Sequence, residues 1–347
     1  MKILHLLQSN RFSGAENVVC QIVNMFKDYP DIEMVYCSCD GQIREALAER
    51  GITFVPLKKL CFSEVKRVIE EQKPDIIHAH DMGAGFNAAM VCKKTNLISH
   101  IHNNNFDSRG ISLKSLAFLL VGIKAKHIFW VSKSSFEGYF FHKIFKGKSS
   151  VLHNIIDKQA LYSKMSECEH PYNYDVAYVG RLTYQKNPER LMGVLKKAKE
   201  HMHNIKVAIV GAGDLEENTK KLCQEYGLQG NVNFLGFMNN PLKVLYNSKV
   251  MVMTSRWEGL PMCALEAMAL GTPIVSTPTD GMIDIIEDGV NGYLSDDDDV
   301  LADRIVKIVQ NNELYEKLSS ETILKFDEFC NIELYKETIL DLYNKLK

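Results

Sequence analysis

No C-x-x-C pair occurs among the nine cysteines, and none stands at a zinc-type spacing from a histidine. Neither a disulfide framework nor a zinc site is therefore indicated, and a reducing, cytoplasmic compartment is the expected setting. Low-complexity tracts are also lacking. With 46% hydrophobic and 24% charged residues, the composition is that of a folded globular chain. The apolar run inside SLKSLAFLLVGIKAKHIFW (112–130) is about nine residues long and broken by lysines, too short to span a bilayer. The opening MKILHLLQS is too short in its apolar part for a secretory signal, because Gln8, Asn10 and Arg11 follow at once, and it reads as a first strand.

Length excludes a single ordinary core: 347 residues suit two domains of roughly 150 to 180 residues. The net charge of −2 hides an imbalance, since residues 1–160 carry 21 Lys+Arg against 15 Asp+Glu and the remainder 20 against 28. The positive excess lies in 101–150, where eight basic residues face only Asp107 and Glu137. Blocks of this kind mark interaction faces more often than folds. Here the block joins the short apolar run in a basic, partly apolar face suited to an anionic membrane carrying a lipid-linked acceptor, with solvated lysines on a docked helix as the plainer reading.

Short apolar strands alternate with amphipathic helices along the whole chain, which implies α/β architecture with parallel sheets. Strands are expected at MKILHLL, IEMVYCSC, TFVPL, DIIHAH, ISHIHN and HIFWVS, with helices such as Ala15 to Lys27 and Ser63 to Gln72 between them. After VLHNIID the stretch YSKMSECEHPYNY is polar and unpatterned, and the inter-domain linker is expected there. A second series follows in DVAYVGR, KVAIVGAG, VNFLGF, KVMVMTS, TPIVST and NGYLS. The expected domains are 1–160 and 161–330, with a terminal helix over 331–347 that could pack back on the N-terminal domain through Leu334, Ile339, Leu342 and Leu346.

Phosphate-type features gather in the second half. VGRLTYQKNPERL puts Arg181 at a strand end and Lys186 just before Pro188, a residue suited to opening a helix. VGAGDLEE supplies G-x-G at Gly211 and Gly213 without the third glycine of the dinucleotide fingerprint, a pattern suited to close backbone approach to a ligand. In KVMVMTSRWEGLPMCALEAMALGTPIVST, Val250 to Met253 reads as a buried strand and Pro261 as a first helical residue. The amides of Gly259, Leu260, Met262 and Cys263 then line a helix N-terminus, a ready anion site. Glu266 falls where a carboxylate could accept hydrogen bonds from vicinal hydroxyls, as acidic residues do with ribose. Glutamates near a helix start also favour the macrodipole without any ligand. A nucleotide diphosphate accounts for the whole set, leaving Glu258 for whatever is attached beyond it.

At this point the sequence resembles the retaining GT-B glycosyltransferases of family 4, related to bacterial polysaccharide and lipopolysaccharide glycosyltransferases. The signature is a glutamate, seven residues and a glutamate, here Glu258 and Glu266. The resemblance is strongest in VGRLTYQKNPERL, VNFLGF and SRWEGLPMCALEAMALGTPIVSTPTDGMIDIIEDGVNGYL; SGAEN, DIIHAH, HIHNNN and WVSKSS extend it into the first half. It implies two Rossmann-like domains facing a central cleft and transfer of a hexose or N-acetylhexosamine, with UDP-sugar favoured as donor. Gly14 would let an amide approach the diphosphate, and His102 would touch the donor sugar. Arg181 and Lys186 would bind the diphosphate and stabilise the leaving group, Glu258 would hold the sugar hydroxyls, and Glu266 the ribose. Phe237 and Met238 would meet the base. A growing cell-surface glycan, lipid-linked, is the implied acceptor, with no nucleic-acid partner, no cofactor and no metal.

This chain departs from the family pattern at Ser13-Gly14, at Asn103 after His102, and at His153-Asn154-Ile155. A nucleotide-sugar 2-epimerase on the same fold, or a non-catalytic nucleotide-sugar-binding subunit, are the alternative readings. DDDD at 296–299 reads as N-terminal helix charge rather than a metal pair. His78 and His80 share a strand face, yet the sequence shows no third ligand candidate nearby.

Overall fold

The computed structural model describes residues 1–12, 14–103 and 106–347, so Ser13 of SGAEN and Asn104 and Asn105 of HIHNNN lie outside the described residues. Two compact units are present, one of Met1–Ile155 with Ile332–Lys347 and the other of Ile156–Asn331.

In the first unit seven strands run parallel: β1 (Lys2–Leu6), β2 (Glu33–Cys39), β3 (Phe54–Leu57), β4 (Ile76–His80), β5 (Asn96–Ile101), β6 (His127–Trp130) and β7 (Ser149–Val151). Their order is β3-β2-β1-β4-β5-β6-β7. β4, covered on both faces, buries every residue, which is why its sequence reads as an unbroken run rather than an alternating one. Leu4 and Leu6 pack into one core with Ile77, Ala79 and Trp130, while Leu7 joins Val19, Tyr36 and Leu47 in another.

The second unit repeats the plan with β8 (Tyr174–Val179), β9 (Val207–Val210), β10 (Val232–Gly236), β11 (Ser248–Met253), β12 (Ile274–Ser276) and β13 (Gly292–Leu294), all parallel and in the order β10-β9-β8-β11-β12-β13. Val176, Tyr178, Val250 and Val252 pack against Leu191 and Leu195 of the helix Pro188–His201 and Leu301 and Ile305 of the helix Asp298–Gln310. The order of strand addition reverses once in each sheet, between β1 and β4 and between β8 and β11. At such switch points the loops leaving the strand ends diverge and open a crevice.

Two expectations change. The stretch read as a polar linker begins inside a helix, Lys158–Ser166, which Asp157 caps by accepting from the N–H groups of Gln159 (2.9 Å) and Ala160 (3.0 Å). Leu161 and Met165, four residues apart, are its buried pair. The terminal helix Ile332–Leu346 buries Tyr335, Ile339 and Tyr343, while Leu334 is exposed. Its place in the first unit is fixed by a 2.7 Å hydrogen bond between Tyr343 Oη and His78 Nδ1 and by Asn96 Nδ2 donating to Leu346 O (2.6 Å). Among the described residues no helix is long and apolar enough to cross a membrane.

Candidate active site

The switch point of the second unit is built from two loops. β8 runs into residues 180–187 and β11 into residues 254–261, and the pair is stitched together. Arg256 N–H donates to Gln185 O (2.8 Å), Gln185 Nε2 to Trp257 O (3.1 Å) and Thr254 Oγ1 to Asn187 O (3.1 Å). Asn187 adopts the left-handed conformation (φ 53°), which turns the chain into Pro188 at the first helical position. This turn carries Lys186 under the neighbouring loop.

There Lys186 Nζ meets Glu258 Oε1 at 2.5 Å, and Ser255 Oγ donates to the same oxygen at 2.5 Å. Glu258 is only 4% exposed. Burial disfavours the Lys186 ammonium, but Glu258 more than offsets it, and the lysine pKa ends above its ordinary value. An ammonium has three N–H donors, so the bond to Glu258 leaves others to point at an anion. Arg181, exposed at the end of β8, lies close enough to act electrostatically on Lys186, and its guanidinium reaches Gln185 Oε1 at 3.4 Å.

The helix Met262–Ala269 begins at this cluster. Pro261 is its cap residue, one position earlier than expected, with an extended backbone (φ −71°, ψ 128°). Intrahelical bonding starts with Ala264 N–H donating to Pro261 O (3.1 Å), so the N–H groups of Met262 and Cys263 stand at the open helix end. Gly259, Leu260 and Met262 are buried, and Cys263 and Glu266, one helical turn apart, form a half-buried face. Burial pushes the Cys263 thiol up to about 12, so it stays neutral. Burial also raises the Glu266 carboxyl to about 7, with Lys164 opposing. Phe237 (72% exposed) and half-buried Met238 follow β10 past Gly236, which takes φ 67°.

The glycines of the G-x-G pair are required by the packing of these loops. A Cβ on Gly211 would lie 1.9 Å from Gly180 O, and one on Gly213 2.2 Å from Leu182 O. Ser255, Gln185 and Lys164 were not singled out by sequence. The first two are ordinary polar loop residues, and the third sits on the helix hidden in the supposed linker.

The acidic run 296–299 has a structural role. Asp297 Oδ1 accepts from Asp299 N–H (2.8 Å) and Val300 N–H (3.3 Å), Arg190 Nε pairs with Asp298 Oδ1 (2.6 Å), and Lys197 pairs with Asp299.

In the first unit Gly14 is exposed and opens the helix Gly14–Met25 after β1, and His102 follows β5 at the same sheet edge. The parallel register sets His5 against His78 and His80 against His100. Because residues two apart share a strand face, His5, His78, His80, His100 and His102 form one buried cluster. His78 and His80 thus have the additional ligand candidates that the sequence did not reveal, and the metal-capable triads among the described residues are His5/His78/His80 and His80/His100/His102. His80 belongs to both and spends both nitrogens on hydrogen bonds, to His5 (3.0 Å) and His102 (2.8 Å). The rings lie within 17–27° of parallel for His78–His80, His80–His102 and His100–His102. His5, His80 and His102 thus form a hydrogen-bonded imidazole chain, and the ligand atoms of each triad lie within 4.8 Å of one another. Burial lowers His102 to about 3, so it is a neutral hydrogen-bonding group, and its backbone N–H donates to Asp81 Oδ1 (3.0 Å). Each neutral imidazole has one N–H, so the tautomers of His5, His80 and His102 are set together.

Two doubly wound parallel sheets with these strand orders are the plan of the GT-B fold. Residues 169–324 match the family model described as glycosyl transferases group 1. An uncharacterized glycosyltransferase of Methanocaldococcus jannaschii, MJ1607, is 40% identical over 166 residues, covering 43% of this chain and 42% of that protein. The chain thus spans about two-fifths of that relative's length. The O-antigen biosynthesis glycosyltransferase WbnH of Escherichia coli is 26% identical over 96% of this chain and 98% of its own. The crystal structure of Anabaena Alr3699/HepE in complex with UDP-glucose superposes with a TM-score of 0.87, at 20% identity, over 99% of this chain and all of that one. The chain thus has the GT-B fold, and its second unit contains the match to the glycosyl transferases group 1 model.

Proposed function

We propose that this protein transfers a hexose or N-acetylhexosamine from a nucleotide diphosphate sugar, with UDP as the favoured nucleotide, to a glycan or lipid-linked acceptor, with retention of anomeric configuration. The observation that carries this reading is the buried Lys186–Glu258 pair at the N-terminus of the helix Met262–Ala269. Breaking the bond between sugar and diphosphate builds positive charge on the sugar and negative charge on the departing phosphates. Preorganised cations and amides aimed at the leaving group supply the largest electrostatic help. Lys186, Arg181 and the amides of Gly259, Leu260, Met262 and Cys263 take that part, Glu258 holds sugar hydroxyls, Glu266 the ribose, and Phe237 and Met238 flank the base. Gly14 and His102 keep the donor-side roles implied by the family resemblance. Glu258 is assigned no nucleophilic role, because Lys186 and Ser255 both engage its Oε1. The UDP-glucose bound by HepE and the O-antigen role in WbnH's name support the donor and acceptor classes.

Thermal unfolding in the presence of UDP, GDP and a panel of their sugars tests the reading without knowledge of the acceptor. A ligand at about 100 times its Kd adds roughly 2.7 kcal/mol of stability. Stabilisation by one UDP-sugar above UDP is the expected result. Absence of a shift with every nucleotide overturns it.

Glu266 gives a pH-dependent companion. Its carboxyl is raised in the fold, so its contribution to stability is complete below the ordinary carboxylate range and is lost as pH rises through about 7. Ribose hydroxyls donate to the ionised form, so affinity for a nucleotide sugar is expected to rise with pH over the same window. Titration calorimetry on Glu266→Gln should show weaker binding with that rise removed. An unaltered pH profile would separate Glu266 from the ribose.

A further inference from the structure

The helix Leu113–Lys124 is apolar on two opposite sides. Phe118 and Val121 face the core of the first unit, whereas Leu113 (87% exposed), Leu116, Leu120 and Ile123 (60% exposed) form a stripe open to water. A surface helix of a globular domain ordinarily keeps its outer face polar. The segment His142–Lys148 packs alongside: the Phe145 ring lies against Gly122, and Lys148 Nζ donates to Ala125 O (2.8 Å). Ile144 is exposed there as well. The two acids of residues 101–150 each meet a lysine, Asp107 with Lys114 (2.5 Å) and Glu137 with Lys133 (3.9 Å), which leaves the segment its positive excess.

We propose that this face docks the first unit on an anionic lipid bilayer, with the helix Leu113–Lys124 lying in the plane of the interface. Its apolar stripe enters the boundary between headgroups and acyl chains, and Lys124, Lys143 and Lys146 meet lipid phosphates. An in-plane helix with an apolar face and lysines beside it matches that boundary, where buried apolar area and attraction to anionic lipid act together. A second copy of the chain fits less well, because an isologous contact would set one basic face against another. The docking is independent of which nucleotide sugar the second unit binds. It goes beyond the transfer reaction by placing the enzyme where a lipid-linked acceptor resides.

Sedimentation of the full chain with vesicles of phosphatidylcholine, with and without phosphatidylglycerol, tests this. Association should need the anionic lipid and weaken with added salt. The doubly substituted L113D/I123D should lose about tenfold or more in partitioning while its thermal midpoint is kept, since both residues already stand in water. Lys143→Glu with Lys146→Glu should weaken binding to anionic vesicles and leave the residual binding less sensitive to salt. Equal sedimentation of wild type and L113D/I123D would overturn the proposal. So would a wild-type dimer that ignores vesicles and dissociates in that variant, the signature of a second copy on this face.

Discussion

Replacing Lys186 by alanine is expected to lower kcat by about 10²–10³-fold, the loss that follows removal of one preorganised group from developing negative charge. The structure adds a second consequence. Glu258 is buried with its Oε1 at 2.5 Å from the lysine, and removing one partner of a buried pair leaves an uncompensated charge, a cost of about 3–5 kcal/mol. The two effects are separable. In Lys186→Met combined with Glu258→Gln, both charges disappear together and most of the stability should return while turnover stays low. Denaturant midpoints and single-turnover rates on the single and double variants make the comparison. Recovery of turnover along with stability would show that Lys186 supports the fold and not the leaving group.

Gly281→Ala is the second large expected effect, and it acts through backbone. A Cβ at this position would stand 1.9 Å from Gly259 O, 2.6 Å from Gly259 C and 2.7 Å from Leu260 Cα. No side chain can rotate away to relieve such a contact, so the 258–261 loop or the start of the helix Asp280–Ile285 must move. A cost of about 3 kcal/mol is expected, at the upper end for overpacking. The same displacement shifts Glu258 and the amides of Gly259 and Leu260, so nucleotide-induced stabilisation should fall as well. Gly193→Ala is the control: it lies in the helix Pro188–His201 with nothing within 4 Å of the added Cβ, and about 0.5–1 kcal/mol of stabilisation is expected. Thermal unfolding with and without UDP reads both variants. A Gly281→Ala protein with wild-type stability and binding would show that the loops accommodate the methyl group.

The central strands were legible because a parallel strand covered on both faces must be apolar throughout, as Val250 to Met253 is. The glycines and prolines that punctuate the loops were legible as such, but the reason for Gly211 and Gly213 was not. What crowds them is the backbone at Gly180 and Leu182, some thirty residues earlier in the chain. The helix Lys158–Ser166 escaped notice because it is short and buries only Leu161 and Met165. The terminal helix was recognised with its stripe misplaced. Ile339 lies on the inner face as expected, but Tyr335 and Tyr343 flank it there and Leu334 is exposed; the buried Tyr343 hydroxyl finds its partner in His78.

The sequence by itself determined the α/β class, every strand but β7, and the Glu-x7-Glu signature, because these depend on local periodicity and on residues a few positions apart. Only the tertiary structure decided that Lys186 and Glu258 are one ion pair and that five histidines form one buried cluster. It also decided that Arg190 answers the acidic run at 296–299, and that Leu113, Leu116, Leu120 and Ile123 open toward water. Each of those depends on which strands and helices lie side by side, and strand order and register set that across separations of up to about a hundred residues.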